Sequence, residues 1–311
     1  MISIIVCSRS ADISSELKES ISSTIGVDFE IIVIDNSLNT YSIFEAYNLG
    51  ARQAVSPYLC FIHEDVSFSN SSFGWGGALE NKLSNKKVGV IGVAGADIVT
   101  RIPAPWSSYR FAKRMNLIQG KAIDNGDLIF EKRFLPVGVG VADSFLPVVL
   151  LDGVFLAMRK DIFNEISFNE NFTGFHGYDF DISLQSSVAG YENYVMYEKI
   201  LLTHNSLGNI NKYYYENLIK VFKLFESHLP ILNGLSLQRG YDISAIEYKQ
   251  IRRFCLNLMK GGFSYKEVMR TFKYYSRLIK LPIYISVIYH CFFSIVYLCR
   301  FKYVKQRRLK V

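Results

Sequence analysis

The chain has 311 residues, of which 50% are hydrophobic and 20% are charged. This length supports one large domain or a domain with an extension, and the 23 Phe and 20 Tyr exclude a disordered polypeptide. The five cysteines are widely spaced and form no CxxC pair, so the sequence indicates neither a disulfide framework nor a zinc ribbon.

The formal net charge of +7 is unevenly distributed along the chain. Residues 1–208 contain 16 Lys or Arg and 23 Asp or Glu, a net charge of −7, whereas residues 209–311 contain 19 and 5, a net charge of +14. The sequence therefore predicts an acidic domain at 1–208 and a basic extension at 209–311. A basic segment suits nucleic acid, an anionic membrane or an anionic small molecule.

The first hundred residues alternate β-branched or apolar runs with helix-compatible segments. The predicted strands are residues 2–7, 30–34, 58–62 and 88–93. This alternation predicts an α/β fold, in which helices flank a mixed, mostly parallel sheet. Ligands bind beyond the carboxyl ends of the strands in such sheets, so the residues that follow each strand are candidates for a site.

Residues 98–147 lose this alternation and predict a long irregular excursion, with or without a hairpin. Segments of this type are often functional. We expect it to form an acceptor site or a lid, and an ordinary structural insertion is the alternative. The side chains that suit a saccharide acceptor are Trp106, Tyr109, Arg110 and Arg114. Regular structure resumes at 148–159, where Asp152 and Gly153 interrupt a strand-like run.

After His204 the pattern becomes helical. Residues 213–225 are amphipathic, and the S-x-x-E motifs that begin at Ser244 and Ser264 predict the starts of two further helices. No basic leader or cleavage site precedes the first strand, so we expect a cytoplasmic protein.

The nineteen residues 281–299 contain no charge and approach the length of a membrane span. Ser286, His290, Ser294 and Tyr297 nevertheless form a polar stripe, and Lys and Arg flank both ends. A helix lying on an anionic membrane surface, at the inner face of the cell membrane, fits this stripe better than a span does. A buried packing helix or a homodimer contact is the remaining alternative.

Three groups of residues could carry chemistry. Asp35 ends a predicted strand and could bind a ribose or a base, although an Asp-Asn-Ser turn is common without any ligand. His63, Glu64 and Asp65 follow a buried strand, where a divalent ion would offset the cost of desolvating a carboxylate. Asp179 and Asp181 begin a predicted helix, either as simple capping residues or as a general base.

His204 is the last candidate, because it follows a short predicted strand at 199–203. Taken alone, such a histidine fits a structural role. Together with a metal-binding carboxylate elsewhere in the chain, its imidazole becomes a plausible further ligand.

In this order the motifs resemble the family-2 inverting glycosyltransferases of the GT-A fold, over residues 1–208. The matching segments are 7–9 (CSR), 30–37 (EIIVIDNS), 46–50 (AYNLG), 56–66 (SPYLCFIHEDV), 151–159 (LDGVFLAMR), 178–182 (YDFDI) and 204–208 (HNSLG). The resemblance implies a nucleotide-sugar donor, a divalent cation (Mn²⁺ or Mg²⁺), and a saccharide or lipid-linked acceptor.

The resemblance also implies roles for individual residues. The donor would be bound by Ser8, Arg9, Asp35, Asn48, Glu64, Asp152 and Gly153. The metal ligands would be Asp65 and His204, with His63 as a third, and the base would be Asp179, with Asp181 as its competitor.

The sequence departs from the family pattern at two positions. His63 stands where the D-x-D motif has its first Asp, and Tyr178 replaces the Glu that precedes the base. An H-x-D motif is associated with a capsule-biosynthesis branch, so we expect a role in the synthesis of capsule or surface polysaccharide. The alternatives are an inactive GT-A-like scaffold or a membrane-associated interaction protein. Nucleic-acid binding is not expected, because the basic segment has no recognised motif.

Overall fold

The computed structural model describes residues 1–109, 111–122, 128–134, 144–205 and 210–308. The chain forms two compact units. Unit one comprises Met1–Val99, Pro105–Asn209 and Pro230–Gly240, and unit two comprises Thr100–Ala104, Ile210–Leu229 and Tyr241–Val311. The sequence pattern did not indicate the two short exchanged segments, and the domain bounds at residue 208 stay a prediction.

Fifteen strands lie within the described residues. They are β1 (Ile2–Ser8), β2 (Phe29–Asp35), β3 (Tyr58–Ile62), β4 (Val66–Ser67), β5 (Val88–Gly92), β6 (Ala94–Ala96), β7 (Ile98–Val99), β8 (Lys113–Ala122), β9 (Leu128–Phe134), β10 (Phe145–Val148), β11 (Leu150–Leu151), β12 (Phe155–Arg159), β13 (Glu192–Met196), β14 (Leu202–His204) and β15 (Ile231–Leu232).

Ten α-helices accompany them in the same ranges. They are α1 (Ser15–Thr24), α2 (Ile43–Gln53), α3 (Trp75–Leu83), α4 (Lys160–Phe163), α5 (Tyr178–Val188), α6 (Lys212–Leu224), α7 (Gly234–Gln238), α8 (Ile243–Lys260), α9 (Tyr265–Leu278) and α10 (Ile283–Arg308). Short 3₁₀ turns occur at Trp106–Ser108 and Glu226–His228.

The central sheet of unit one has the strand order β10-β13-β5-β12-β3-β1-β2. β1 pairs in parallel with β2 and β3, and β5 pairs in parallel with β13. β12 and β10 are antiparallel to their neighbours, so five of the seven strands run in one direction. The predicted mixed, mostly parallel α/β architecture is confirmed.

Helices cover both faces of this sheet because successive side chains of a strand point to opposite sides. Ile4 and Val6 of β1 belong to the same buried cluster as Leu17 and Ile21 of α1. On the other face, Ile5 contacts α2 at Gly50, where a Cβ would lie only 2.3 Å from Ile5 Cγ2. Strand β1 is therefore enclosed by helices.

The interval 98–147 is more regular than predicted. β8 and β9 pair as antiparallel strands, and β8 also joins a second sheet of order β11-β6-β8-β14-β4. Arg110 lies outside the described residues, as does most of the segment 204–208. Arg114 is buried and pairs with Asp97 at 2.7 Å, so it is not a side chain available to an acceptor.

Unit two is a helical unit whose core joins α8, α9 and α10, through residues such as Phe254, Phe272 and Phe293. The predicted capping box at Ser264 is confirmed. The predicted start at Ser244 is wrong, because Asp242 caps α8 two residues earlier. Among the described residues, no helix combines the length and the hydropathy that crossing a bilayer requires.

Candidate active site

The carboxyl ends of β1, β2 and β3 meet at one edge of the central sheet, where Ser8 pairs in register with Asp35. Glu64 follows β3, and its Oε2 accepts hydrogen bonds from Ser8 Oγ at 2.7 Å and from the Arg9 amide at 2.8 Å. Arg9 also forms an ion pair with Glu64. Burial opposes ionisation of Glu64, but these hydrogen bonds outweigh it and hold the pKa of Glu64 below its usual value.

His63, Asp65 and His204 bring three potential metal ligands together. β14 places His204 opposite Val66, so its side chain reaches the turn after β3. His204 Nε2 lies 3.4 Å from Asp65 Oδ1 and 3.4 Å from His63 Nδ1. His63 Nδ1 and Asp65 Oδ1 are 3.9 Å apart. Ligands about 2.0–2.2 Å from one ion lie roughly 3–3.5 Å from one another. The two separations from His204 Nε2 lie in this range, and a small approach of His63 Nδ1 to Asp65 Oδ1 would bring the third into it.

Both imidazoles are oriented by neighbours outside the cluster. His204 Nδ1 lies 3.2 Å from Gln119 Oε1 on β8, which can accept its hydrogen. His63 Nε2 lies 2.6 Å from Tyr178 Oη. Burial and the nearby His204 lower the pKa of His63, which favours the neutral imidazole that a metal requires.

The two acids at the start of α5 have different surroundings. Asp181 is fully buried, and its Oδ2 accepts hydrogen bonds from the Asn169 amide at 3.1 Å and from Gln185 Nε2 at 2.9 Å. Burial raises its pKa to about 6. Asp179 is only half-buried, and burial together with the carboxylate of Asp152 raises its pKa to about 8.

Asp152 is fixed by two hydrogen bonds, one from Trp106 Nε1 to Oδ2 at 2.6 Å and one from the Val154 amide to Oδ1 at 3.0 Å. Trp106 was predicted as a side chain for a saccharide acceptor, and its hydrogen bond to Asp152 was not anticipated. Gly153 lies against Tyr178, where a Cβ would be 2.1 Å from the phenol oxygen. The Asp152–Gly153 break in the strand therefore admits Tyr178 to the site.

Two predicted donor residues lie apart from the metal cluster. Asp35 is exposed at the end of β2 and accepts a hydrogen bond from the Ser37 amide at 2.9 Å. Asn48 is buried, and its amide group donates to Phe168 O at 2.7 Å and to Glu170 Oε1 at 2.8 Å. Through these contacts Asn48 anchors the loop that precedes α5. Its role in donor binding stays a prediction.

A profile of the family described as "Glycosyltransferase like family" matches residues 3–224. The chain belongs to this glycosyltransferase-like family. The matched range contains every candidate site residue and ends with α6, so the family resemblance of the sequence is confirmed. The H-x-D branch stays a prediction.

Three solved structures share part of the chain course. GalNAc-T7 with UDP, GalNAc and Mn²⁺ has a TM-score of 0.47 at 12% identity, over 72% of this chain and 49% of that one. S. aureus TarS has a TM-score of 0.45 at 13% identity, over 83% of this chain and 49% of that one. S. aureus TarS 1–349 in complex with UDP-GlcNAc has a TM-score of 0.40 at 12% identity, over 88% of this chain and 72% of that one.

This chain spans about half the length of the first two structures, whose coverage is 49% in each case. At such scores these likenesses add nothing to the family match. A comparison with curated protein sequences gives no significant match.

Proposed function

We propose that the protein transfers a sugar from a nucleoside-diphosphate sugar to a hydroxyl group of a saccharide or lipid-linked saccharide. The observation that carries the proposal is the His63–Asp65–His204 cluster, at the strand ends of a chain that belongs to the glycosyltransferase-like family. The carboxyl ends of the strands are where ligands bind in open α/β sheets.

The cluster supports a divalent-cation site. Two imidazole nitrogens and one carboxylate oxygen suit Mn²⁺, and they leave coordination positions for oxygens of the donor. A bound Mn²⁺ or Mg²⁺ would neutralise the charge of the departing diphosphate. Tyr178 Oη contacts His63 Nε2 and Gln119 Oε1 contacts His204 Nδ1, the ring nitrogens that point away from the cluster, which supports this site.

Asp179 is the better of the two candidate bases. Asp181 is fully buried and already accepts two hydrogen bonds, which suits a structural role. Asp179 is half-buried, and its raised pKa makes its carboxylate a stronger proton acceptor once ionised.

In the proposed step, Asp179 takes the proton of the acceptor hydroxyl while the hydroxyl oxygen attacks the anomeric carbon. The bond from that carbon to the diphosphate oxygen breaks, and one in-line displacement inverts the configuration. A protonating acid is not needed for this leaving group, unlike in glycosidases.

Donor binding is assigned to the remaining polar residues of the sheet edge. Arg9 is exposed beside Glu64 and offers a cation to the donor phosphates. Asp35 is an exposed carboxylate that can accept hydrogen bonds from a ribose or a base. The other residues predicted to bind the donor are Ser8, Asn48, Glu64, Asp152 and Gly153.

We extend the proposal to the setting in which the enzyme works. A lipid-linked acceptor in capsule or surface-polysaccharide synthesis would place catalysis at the inner face of the cell membrane. The basic segment 281–311 would then hold the protein there. A homodimer contact through the same segment is the competing use of this surface.

The test is the release of nucleoside diphosphate from a panel of nucleotide sugars, measured with Mn²⁺ and with EDTA. We expect Asp65→Asn to abolish Mn²⁺-dependent donor binding, and Asp179→Asn to abolish turnover while donor affinity stays near normal. Asp28→Asn is the matched control, because this acid is exposed just before β2, at the opposite end of the sheet. Equal loss of affinity and turnover in Asp179→Asn would overturn its assignment as the base.

A further inference from the structure

Helix α10 has two apolar faces. One face, with Ile285, Tyr289 and Phe292, packs on the core of unit two. The opposite face leaves large apolar side chains between 57% and 83% exposed: Ile283, Tyr284, Val287, Ile288, Ile295 and Leu298. This row of residues, the apolar row, extends over about 22 Å of helix. Folded monomers rarely expose such a surface unless it binds something.

A groove beside the apolar row carries positive charge. It is a cavity of about 480 Å³ between α9 and α10, and Ile283 and Val287 of the row form part of its lining. Lys273, Arg277 and Lys280 line it as well, and none of its described lining residues is acidic. The groove therefore joins three cations to an apolar wall.

We propose that the groove and the apolar row together bind the anionic phospholipids of a membrane surface. The phosphate of a headgroup would lie against Lys273, Arg277 and Lys280, and the acyl region would cover the apolar row. The charge distribution argues against a symmetric contact with the same segment of a second copy, because residues 209–311 carry a net charge of +14 in each copy.

The experiment is co-sedimentation of the full chain with vesicles of phosphatidylglycerol and phosphatidylcholine, or of phosphatidylcholine alone. We expect binding to the anionic vesicles only. The double variant Lys273→Gln/Arg277→Gln should lower the partition coefficient at least about tenfold. Lys249→Gln/Arg252→Gln removes the same charge from exposed positions of α8 and should have a much smaller effect.

A third variant, Ile283→Ser/Val287→Ser, removes exposed side chains and should also weaken binding without unfolding the chain. Three results would overturn the proposal. They are equal losses in the two charge variants, equal binding to both kinds of vesicle, and a dimer in sedimentation velocity that the Ser variant dissociates while vesicle binding is unchanged.

A second inference rests on a different observation, the contact between His63 and Tyr178. The two residues are 115 positions apart in sequence. The structure joins them through the 2.6 Å contact between His63 Nε2 and Tyr178 Oη. Tyr178 packs among aromatic rings, including Tyr47 and Phe168, which fix its position.

This contact bears on which nitrogen of His63 carries the hydrogen. Nδ1 is the atom that faces Asp65 Oδ1 and His204 Nε2. If Nδ1 is to offer a lone pair to a metal ion, Nε2 must keep its hydrogen and donate it. Tyr178 Oη is placed to accept it. His204 has the corresponding arrangement with Gln119.

We infer that Tyr178 is a positioning residue that holds His63 in the tautomer and orientation that bind a metal ion. The inference rests on the metal site of the proposed function. A carboxylate ligand at this position would not need such a partner, because it has no tautomer to be selected.

The test is Mn²⁺ affinity measured by calorimetry without any donor. We expect Tyr178→Phe to weaken Mn²⁺ binding about 10- to 100-fold. Tyr47→Phe is the matched control, because the Tyr47 hydroxyl donates to Ile62 O rather than to the cluster. The Mn²⁺ affinity of this variant should stay near the wild-type value. In the Tyr178→Phe background, His63→Asp should restore affinity.

The outcomes separate this inference from the proposed function. Unchanged Mn²⁺ affinity in Tyr178→Phe would refute the role of Tyr178 and would not contradict the proposed transferase activity. Weakened affinity in a protein that turns over no nucleotide sugar would support the role of Tyr178 and refute the proposed function. A wild-type protein that binds no Mn²⁺ would refute the role of Tyr178 and remove the metal from the proposal.

Discussion

Asp179 should make the folded protein less stable as the pH rises, because the fold raises its pKa to about 8. In the unfolded chain this carboxyl ionises near pH 4. Between these values the folded state holds a proton that the unfolded state has lost, so the free energy of unfolding falls as the pH rises. Replacing Asp179 with Asn removes the cost of ionising this group inside the fold.

The magnitude follows from the size of the pKa difference. Each pH unit between the two pKa values costs 1.36 kcal/mol, so raising the pH from 5 to 9 costs the wild-type protein up to about 4 kcal/mol through this group. Asn cannot ionise and escapes this cost. The stability of Asp179→Asn relative to wild type should therefore increase by up to about 4 kcal/mol over this range.

Urea unfolding in EDTA at pH 5, 7 and 9 measures this difference, and other titrating groups cancel between the two proteins. Asp28→Asn removes an exposed carboxyl and is the control. Its free energy of unfolding relative to wild type should not change comparably over this pH range. The pKa argument would be refuted if the stability of Asp179→Asn relative to wild type stayed constant or fell from pH 5 to 9.

Two further predictions concern neighbouring charges. Catalysis by ionised Asp179 should make kcat/KM rise with pH through about 8. Asp152→Asn should move this rise to lower pH, because the Asp152 carboxylate helps to raise the pKa of Asp179. A pH profile that does not move in this variant would contradict the coupling. In unit two, Arg101→Ala should cost about 3–5 kcal/mol in urea unfolding, because it leaves Glu247 buried without its partner at 2.7 Å. Arg252→Ala, at an exposed position, should change stability by less than about 0.5 kcal/mol.

The central strands were predictable because their signals are local. The runs at 2–7, 58–62 and 88–93 contain mostly β-branched and apolar residues, and the structure extends or trims them by no more than one residue. A hairpin within 98–147 was offered by the sequence, but the bounds of β8 were not predicted, because Lys113–Ala122 has no such run. Besides the neighbouring strand β9, β8 pairs with β6 and β14, which are more distant in sequence.

Part of the site followed from the same local logic. His63 and Asp65 were predicted as ligands at the end of a buried strand, and His204 was added as a further ligand through the family resemblance. The structure brings His204 to them through the antiparallel pairing of β14 with β4, in the second sheet. Their supporting partners could not be predicted. Gln119 lies on β8, whose bounds were not predicted, and Tyr178 was recognised only as a departure from a motif.

The basic segment shows how tertiary contacts override a local signal. Ser244 and Glu247 have the spacing of a capping box, but Glu247 is buried and paired with Arg101, and Asp242 caps the helix instead. The net charge of +7 is likewise a sum of two opposite parts, an acidic unit with the candidate site and a basic segment with an exposed apolar row.

The central claim is that the cluster of His63, Asp65 and His204 serves nucleotide-sugar transfer. The most direct measurement is the release of nucleoside diphosphate from a nucleotide-sugar panel in the presence of Mn²⁺. The account predicts release from at least one donor, lost with EDTA and in Asp65→Asn. Failure of the wild-type protein to bind or turn over any donor in the presence of Mn²⁺ would contradict it.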